Sequence, residues 1–451
     1  MNSLVDKNLF IDQYALSVIA PIDENKLADL RVLLSKIQAN IDQNDSILPF
    51  VNIEGLHFAR FVILTSYTNK NGKVIPDQLV YSCNCDIGLD DHLKQISLSN
   101  ALLGFYQIFS CCREFDSSRR DGESIETIKE FMIRFKVDIN TFYRGHRGFA
   151  VKQIKDEDAI RSEIQKYLDK NIFDKTPLNQ IKSNLDKHIL EMFPTWKPPI
   201  DIRLKYISFG GVIFRYIALP LLLFIIIVSF LSYFFSFWIL LITLVNLLLI
   251  ALYLRFIEFN ADSISDKIDS SFYDKIKDLT ASEDRIVQNQ LTHLVDLRPG
   301  IFRKFLQKIA LWTLNKLATY TFNKGRLGDI ATIHFARWIM IDSDERLLFF
   351  SNFDGSWENY LGDFVDRAAL GLTLAWSNTN EFPKTKWLVM KGAEDEERFK
   401  TWTRKYQIPT QVWFSGYRDL TVKNILRNRS IALGIYKSMS DQELVEWFNL
   451  L

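Results

Sequence analysis

The chain has none of the short motifs that announce common nucleotide and hydrolase chemistry: no G-x-G-x-x-G, no P-loop, no H-E-x-x-H and no G-x-S-x-G. It also lacks an excess of either charge. Its 55 Lys and Arg against 54 Asp and Glu give a net +1. A phosphate-binding face would show as a basic stripe, so nucleic acid is not an expected partner. Cysteine is scarce. The four, Cys83, Cys85, Cys111 and Cys112, lie in the first quarter and offer no C-x₂₋₄-C knuckle. C-x-C on a strand puts both thiols on one face, but the expectation is reduced thiols packed as small hydrophobes, with no metal. The opening residues Met1 to Asp6 show no basic segment leading into an apolar core, so no cleavable signal peptide is expected.

What the chain does have is one long apolar run. No residue between Arg215 and Arg255 is charged. A single helix across that run would rise about 58 Å, nearly twice the roughly 30 Å of a hydrocarbon core. Two crossings are therefore expected, with a break at Ser232 to Ser236 and about 16–18 residues on either side; a re-entrant pair is the alternative. Arg203, Lys205 and Arg215 precede the run and Arg255 follows it, while the tip has no charge. That places both flanks on the cytoplasmic side of a bacterial inner membrane, with the bilayer as partner.

Elsewhere the order of elements is βαββαβ, written twice. Residues 14–22 read as a strand, followed by a helix behind Asp23; 56–64 and 78–84 form a hairpin across the Asn71-Gly72 loop; helices through Leu93–Ile108 and Ile125–Phe135 precede a strand at 139–143. After the apolar run come Gln290–Val295, a helix opened by Pro299-Gly300, and a second hairpin. Residue identities repeat too: His57-Phe58-Ala59-Arg60 matches His334-Phe335-Ala336-Arg337, Asn84-Cys85-Asp86 matches Asn352-Phe353-Asp354, and Arg144-Gly145-His146-Arg147 matches Ser415-Gly416-Tyr417-Arg418. The expected fold is α+β: two tandem ferredoxin-like βαββαβ repeats packed as an intramolecular α+β barrel, with a transmembrane helical hairpin between them. The boundaries are 1–154 for the first repeat, 155–210 for a polar helical linker, 211–257 for the hairpin, 258–286 for a second linker and 287–451 for the second repeat. The linkers read as a stalk between barrel and bilayer.

Duplicated polar residues inside apolar strands are the candidate site. By strict alternation His57 and Arg60, like His334 and Arg337, point to opposite faces. One reading has each His bonded to an Asp of the neighbouring strand and each Arg paired with a carboxylate. The other has His334 and Asp354, with Arg337, converging as catalytic groups between the sheets. His293 and His57 are the cofactor-binding candidates. Asp86, Arg60, Arg147 and Arg418 are ligand-binding or structural; Asp354 before Gly355 also reads as the cap of the helix starting near Trp357, and the two arginines at strand ends as rim salt bridges or anion contacts.

The doubled order and the Asn352-Phe353-Asp354-Gly355 turn resemble the dimeric α+β barrel superfamily, and within it the dye-decolourising haem peroxidases, whose G-x-x-D-G motif carries a distal Asp. Ser351 stands at that motif's first Gly, and the last histidine of the chain, His334, precedes it. The chain is also similar to a set of bacterial membrane proteins that share its T-I-H-F-A-R-W and S-N-F-D-G-S-W-E-N-Y blocks. The resemblance implies a haem-dependent peroxidase-like oxidoreductase as one function. The first expectation is a membrane-anchored protein that binds a small apolar or lipid-like ligand in the cleft between its two sheets.

Overall fold

The computed structural model describes residues 12–451 apart from 70–71, 119–123, 175, 200–203, 266–269, 324 and 329. Met1 to Asp6, Asn71 and Arg203, used in reading the sequence, fall outside the described residues. Eight strands carry the fold: β1 (Tyr14–Pro21), β2 (Leu56–Leu64), β3 (Gln78–Cys85), β4 (Thr141–Arg144), β5 (Gln288–Asp296), β6 (Ile333–Ile341), β7 (Arg346–Asp354) and β8 (Val412–Ser415). They form two four-stranded antiparallel sheets in the orders β1-β3-β2-β8 and β4-β6-β7-β5.

Each sheet therefore takes its short strand from the other half of the chain. β4 pairs Thr141 with Trp338, and β8 pairs Trp413 with Arg60. The chain reaches these places by the same route twice. Leaving its helix, it first touches the outer strand of its own half, where Val137 N–H donates to Ser17 O and Ile408 N–H to Thr292 O. It then crosses to the other sheet, where Asn140 N–H donates to Trp338 O and Gln411 N–H to Phe61 O. These bonds satisfy edge groups that a free outer strand would expose.

The helices divide between the two outer faces. α1 (Leu27–Ala39), α2 (Leu89–Leu98), α3 (Leu102–Phe109) and α4 (Ser124–Phe135) cover the first sheet, with Leu30, Leu34, Ile96, Phe105 and Met132 in one core with Leu16, Phe61 and Tyr81. The helical run expected through Leu93 and Ile108 is two helices, because Asn100 takes φ +58° between them.

α5 (Val151–Lys170) and α6 (Leu178–Met192) follow β4. They are not a bare stalk: Ile160, Ile164, Leu185 and Ile189 pack with Ile431 and Trp447 of the C-terminal helices. α7 (Phe209–Phe234) and α8 (Phe237–Phe259) form the hairpin, and α9 (Ser270–Thr280) leads to β5. The second sheet is covered by α10 (Ile301–Tyr320), α11 (Trp357–Trp376) and α12 (Glu396–Tyr406), and the chain ends in α13 (Val422–Gly434) and α14 (Asp441–Phe448). Between the sheets, Ile19, Val62, Leu64, Val80, Ile339, Ile341, Leu348 and Phe350 fill the space.

Two helices are long and apolar enough to cross a bilayer, with a mean hydropathy of 2.6 each and nearly all of their side chains turned outward. The break falls at Phe235-Ser236, inside the expected window, and Ser236 caps α8. Both helices outrun the uncharged stretch, since α7 begins six residues before Arg215 and α8 continues four beyond Arg255. At about 1.5 Å per residue each is longer than a hydrocarbon core is thick. The end of α8 is bound to the second half: Glu258 accepts from Thr385 Oγ1 and Leu388 N–H, and Ile257 O accepts from Arg303.

Candidate functional site

Alternation alone would separate each histidine from its arginine, but the strands are not regular there. In β2 the pairing with β3 skips His57, going from Leu56–Cys85 to Phe58–Asn84; in β6 it skips His334, from Ile333–Phe353 to Phe335–Asn352. An extra residue of this kind turns its side chain to the face of its neighbour. Both histidines and both arginines consequently point between the sheets, correcting the expectation of opposite faces. Two glycines permit the bulges. Gly145 and Gly416 donate to His334 O and His57 O at 2.8 Å, and an added Cβ would stand 2.0 Å from Ile333 O or 2.5 Å from Leu56 O.

The residues after those glycines complete a buried chain of hydrogen bonds. Asp86 Oδ1 lies 2.8 Å from His57 Nε2, and His57 Nδ1 lies 2.9 Å from the Tyr417 hydroxyl. Tyr417 is also 2.9 Å from His146 Nε2, which is 3.4 Å from His334 Nδ1; His334 Nε2 closes the series 2.6 Å from Asp354 Oδ1. Burial, together with the charges of Asp86 and Asp354, pushes the Tyr417 phenol well above its ordinary range, so it remains a donor. Burial, with His334 and His57 alongside, pulls His146 well below the ordinary histidine value, so it remains neutral. One arrangement of protons that satisfies every contact has His57 and His334 donating from Nε2 to the carboxylates, Tyr417 donating to His57, and His146 Nε2–H shared between the Tyr417 oxygen and His334.

The second oxygen of each Asp holds a helix. Asp86 Oδ2 accepts from Val151 N–H at the start of α5, and Asp354 Oδ2 from Val422 N–H at the start of α13. The expectation that Asp354 caps the helix at Trp357 is thus corrected, since Ser356 caps α11 and Asp354 instead accepts from the first N–H of α13, whose N-cap is Thr421. Gly355 does adopt the positive φ, +79°, that such a turn requires.

The arginines cross between the sheets and find no carboxylate among the described residues. Arg60 donates to Gln290 Oε1, Leu291 O, Thr292 Oγ1, Ser351 O and Asn352 Oδ1 on β5 and β7. Arg337 donates to Leu16 O, Ser17 Oγ and Cys83 O on β1 and β3. Arg337 is therefore a tie between sheets, and it does not join His334 and Asp354. Burial, and for Arg60 also the facing Arg337, lowers both guanidinium pKa values, Arg337 to about 10. Arg147 and Arg418 form rim salt bridges with Asp12 and Asp42.

The histidines do not fit a haem. Both ring nitrogens of His57 and of His334 already have partners. His293 has neither nitrogen bonded among the described residues, but it faces the helices and is packed against Trp402 at 4.6 Å and Trp376 at 6.0 Å. The cavity beside it is about 10 Å³, room for no more than one water.

Burial and the charge of Lys275 depress His293 from 6.5 to about 3. The folded state thus binds its proton less readily than the unfolded chain does. Stability contributed by neutral His293 is present above pH 6.5 and is lost as the pH falls from 6.5 towards 3. His293→Leu is expected to recover about 3 kcal/mol at pH 4.5 relative to pH 7.5. Melting midpoints at the two pH values check this; a pH dependence identical to that of the parent would count against it.

Room for a ligand lies elsewhere. An apolar cleft of about 800 Å³, partly open to the outside, lies between α10, α11 and the foot of the hairpin. Phe209, Ile213, Ile217 and Leu254 supply the hairpin wall. The space exists because Ala310, Ala318, Ala368, Ala369, Gly328 and Gly371 are small, and α11 leaves helical geometry at Ala368 (φ −136°, ψ 18°) beside it. The outer face of α10 continues the apolar surface: Ile301, Phe305, Ile309 and Trp312, at helical spacing, are all exposed. Tyr216 on α7 meets Trp312 at 5.7 Å.

Sequence duplication pointed to His57, His334, Asp86 and Asp354, and the structure brings each His to its Asp. It missed His146 and Tyr417, which occupy matching places with different side chains; the shared Gly before each was the available signal. The cavity left no motif, only small residues spread over three segments. Comparison with protein-family models, with curated proteins and with solved structures finds no match to this chain.

Proposed function

We propose that this is a membrane-anchored protein that takes a lipid-like apolar ligand from the bilayer into the cavity at the foot of the hairpin. The carrying observation is that cavity of about 800 Å³, walled on one side by hairpin residues and on the other by α10 and α11. Its size and apolar lining, with a few polar groups such as Thr313 and Asn378, suit a small hydrophobic molecule or an acyl chain. The exposed apolar stripe of α10 beside Tyr216 and Trp312 supports a helix resting at the bilayer surface, so the ligand enters without crossing water.

In this reading the two halves are tandem ferredoxin-like repeats joined as an intramolecular α+β barrel. The exchanged strands and the bonds at 137 and 408 that lead into them support it. The space between the sheets is packed, so the ligand site belongs to the outer face of the second sheet. The Asp–His–Tyr–His–His–Asp series, with almost all of its bonds made internally, acts as an interlock holding α5 and α13 at the junction.

Ala318→Phe with Ala369→Phe fills the cavity from two sides. The parent, purified in mild detergent, is expected to carry an apolar molecule detectable by native mass spectrometry; the double variant should retain on the order of tenfold less. Equal occupancy in a folded variant would reject the site.

The orientation places both flanks in the cytoplasm of a bacterial inner membrane, supported by Lys205, Arg215 and Arg255 around an uncharged tip. Because the native cysteines are buried, Tyr233→Cys offers a selective label. A membrane-impermeant maleimide should react with it from outside intact cells stripped of their outer membrane; reaction only after lysis would reverse the orientation.

A further inference from the structure

Tyr81, Cys83 and Cys85 alternate onto the same face of β3, the face that packs against α2. There the two sulfurs lie 3.3 Å apart, and His92 Nε2, from the first turns of α2, lies 3.7 Å from Cys83 Sγ. Two thiols and an imidazole thus converge with their ligand atoms all within 4.8 Å of one another. All three side chains are fully buried, and the surroundings are apolar, with Leu93, Ile96, Phe61 and Phe105 in the same core, apart from the Tyr81 hydroxyl, which lies 3.0 Å from His92 Nε2 and would have to give up that bond to a metal. Arg337 reaches this place from the other sheet and donates to Cys83 O, bringing positive charge towards the thiols.

We propose that Cys83, Cys85 and His92 form a three-coordinate site for a soft monovalent ion, Cu(I). Thiolate and imidazole donors select soft or borderline metals. Structural zinc takes four ligands, whereas three donors converge here in a closed apolar core. A monovalent d¹⁰ ion is satisfied by three. With metal–sulfur bonds of about 2.3 Å at a trigonal angle the sulfurs need to part by roughly 0.7 Å from their 3.3 Å, within reach of small side-chain rotations. Two thiolates and Cu(I) leave one net negative charge, which the neighbouring Arg337 offsets.

The test uses the full chain, purified in detergent under reducing, oxygen-free conditions and titrated with Cu(I) against the chromophoric chelator bicinchoninate. The parent is expected to withdraw one Cu(I) per chain. Cys83→Ser and Cys85→Ser should each abolish that uptake, and Cys111→Ser with Cys112→Ser should leave it intact. X-ray absorption of the copper-loaded parent should show two sulfurs and one nitrogen, a readout that stands even if the Cys83 and Cys85 variants fail to fold. No uptake by the parent, undiminished uptake in folded Cys83→Ser, or any other ligand shell would overturn the site. Stoichiometric zinc held there in preference to copper would overturn the assignment of the ion.

Discussion

Gly145→Ala is expected to keep most of the protein from reaching its folded state. A Cβ at this position would lie 2.0 Å from Ile333 O and 3.3 Å from His334 O, and both obstacles are backbone. Neither can swing aside as a side-chain tip would. Relief requires β4 to lift from β6, losing the Gly145 N–H bond to His334 O and drawing His146 away from Tyr417 and His334. Those losses leave several buried polar groups unpaired at about 1–3 kcal/mol each, so the penalty should exceed about 4 kcal/mol. That is a large part of a typical domain's stability. Gly88→Ala is the control, because nothing lies within 4 Å of its added Cβ. Folded yield and melting midpoint check the pair; a Gly145→Ala protein that melts with the parent would contradict the bulge-and-glycine account. Gly416→Ala should behave like Gly145→Ala, its Cβ falling 2.5 Å from Leu56 O.

Arg60→Ala carries the other large effect. The guanidinium joins β2 to β5 and β7 through five acceptors and lies 4.9 Å from the Phe350 ring. Removing it leaves a void between packed sheets and strips donors from two backbone carbonyls, Leu291 O and Ser351 O. Relief of a buried cation without a carboxylate partner offsets part of this, since burying charge is itself costly. The cavity and the orphaned acceptors outweigh that relief, and a net loss of at least about 3 kcal/mol is expected. Thermal melting of Arg60→Ala beside the rim variant Arg418→Ala measures it. The rim pair with Asp42 is about half exposed on both sides and should cost under about 1 kcal/mol. Similar midpoints for the two variants would show that Arg60 does not tie the sheets together.

The sequence made some of this architecture plain and concealed the rest for definite reasons. The strands 56–64 and 78–85 and the hairpin were legible because long apolar runs with turn residues between them have few other solutions. The paired His-Phe-Ala-Arg blocks were legible as identity. The exchange of β4 and β8 was not, because four residues alternate identically whichever sheet receives them. The bulges at His57 and His334 carry no Gly or Pro within the strand, and the glycines that make room for them, Gly416 and Gly145, follow the short strands of the other half, 359 and 189 positions away in sequence. A missed bulge reverses the face of every residue before it, hence the misplaced arginine and histidine faces. The Asp caps were assigned to the nearest helix because local spacing favours it, whereas the actual partners, Val151 and Val422, follow 65 and 68 residues later. His92 gave no sign of joining Cys83, since it lies just ahead of the apolar positions from Leu93 that marked the helix.

The most direct test of the central claim is a cryo-electron-microscopy map of the full chain in lipid nanodiscs. The account predicts elongated density between α10, α11 and the foot of the hairpin, bounded by Ala310, Ala369 and Ile213, with the space between the two sheets filled by protein side chains. A foot collapsed onto α11 with no density between them, or ligand density lying between the sheets, would contradict it.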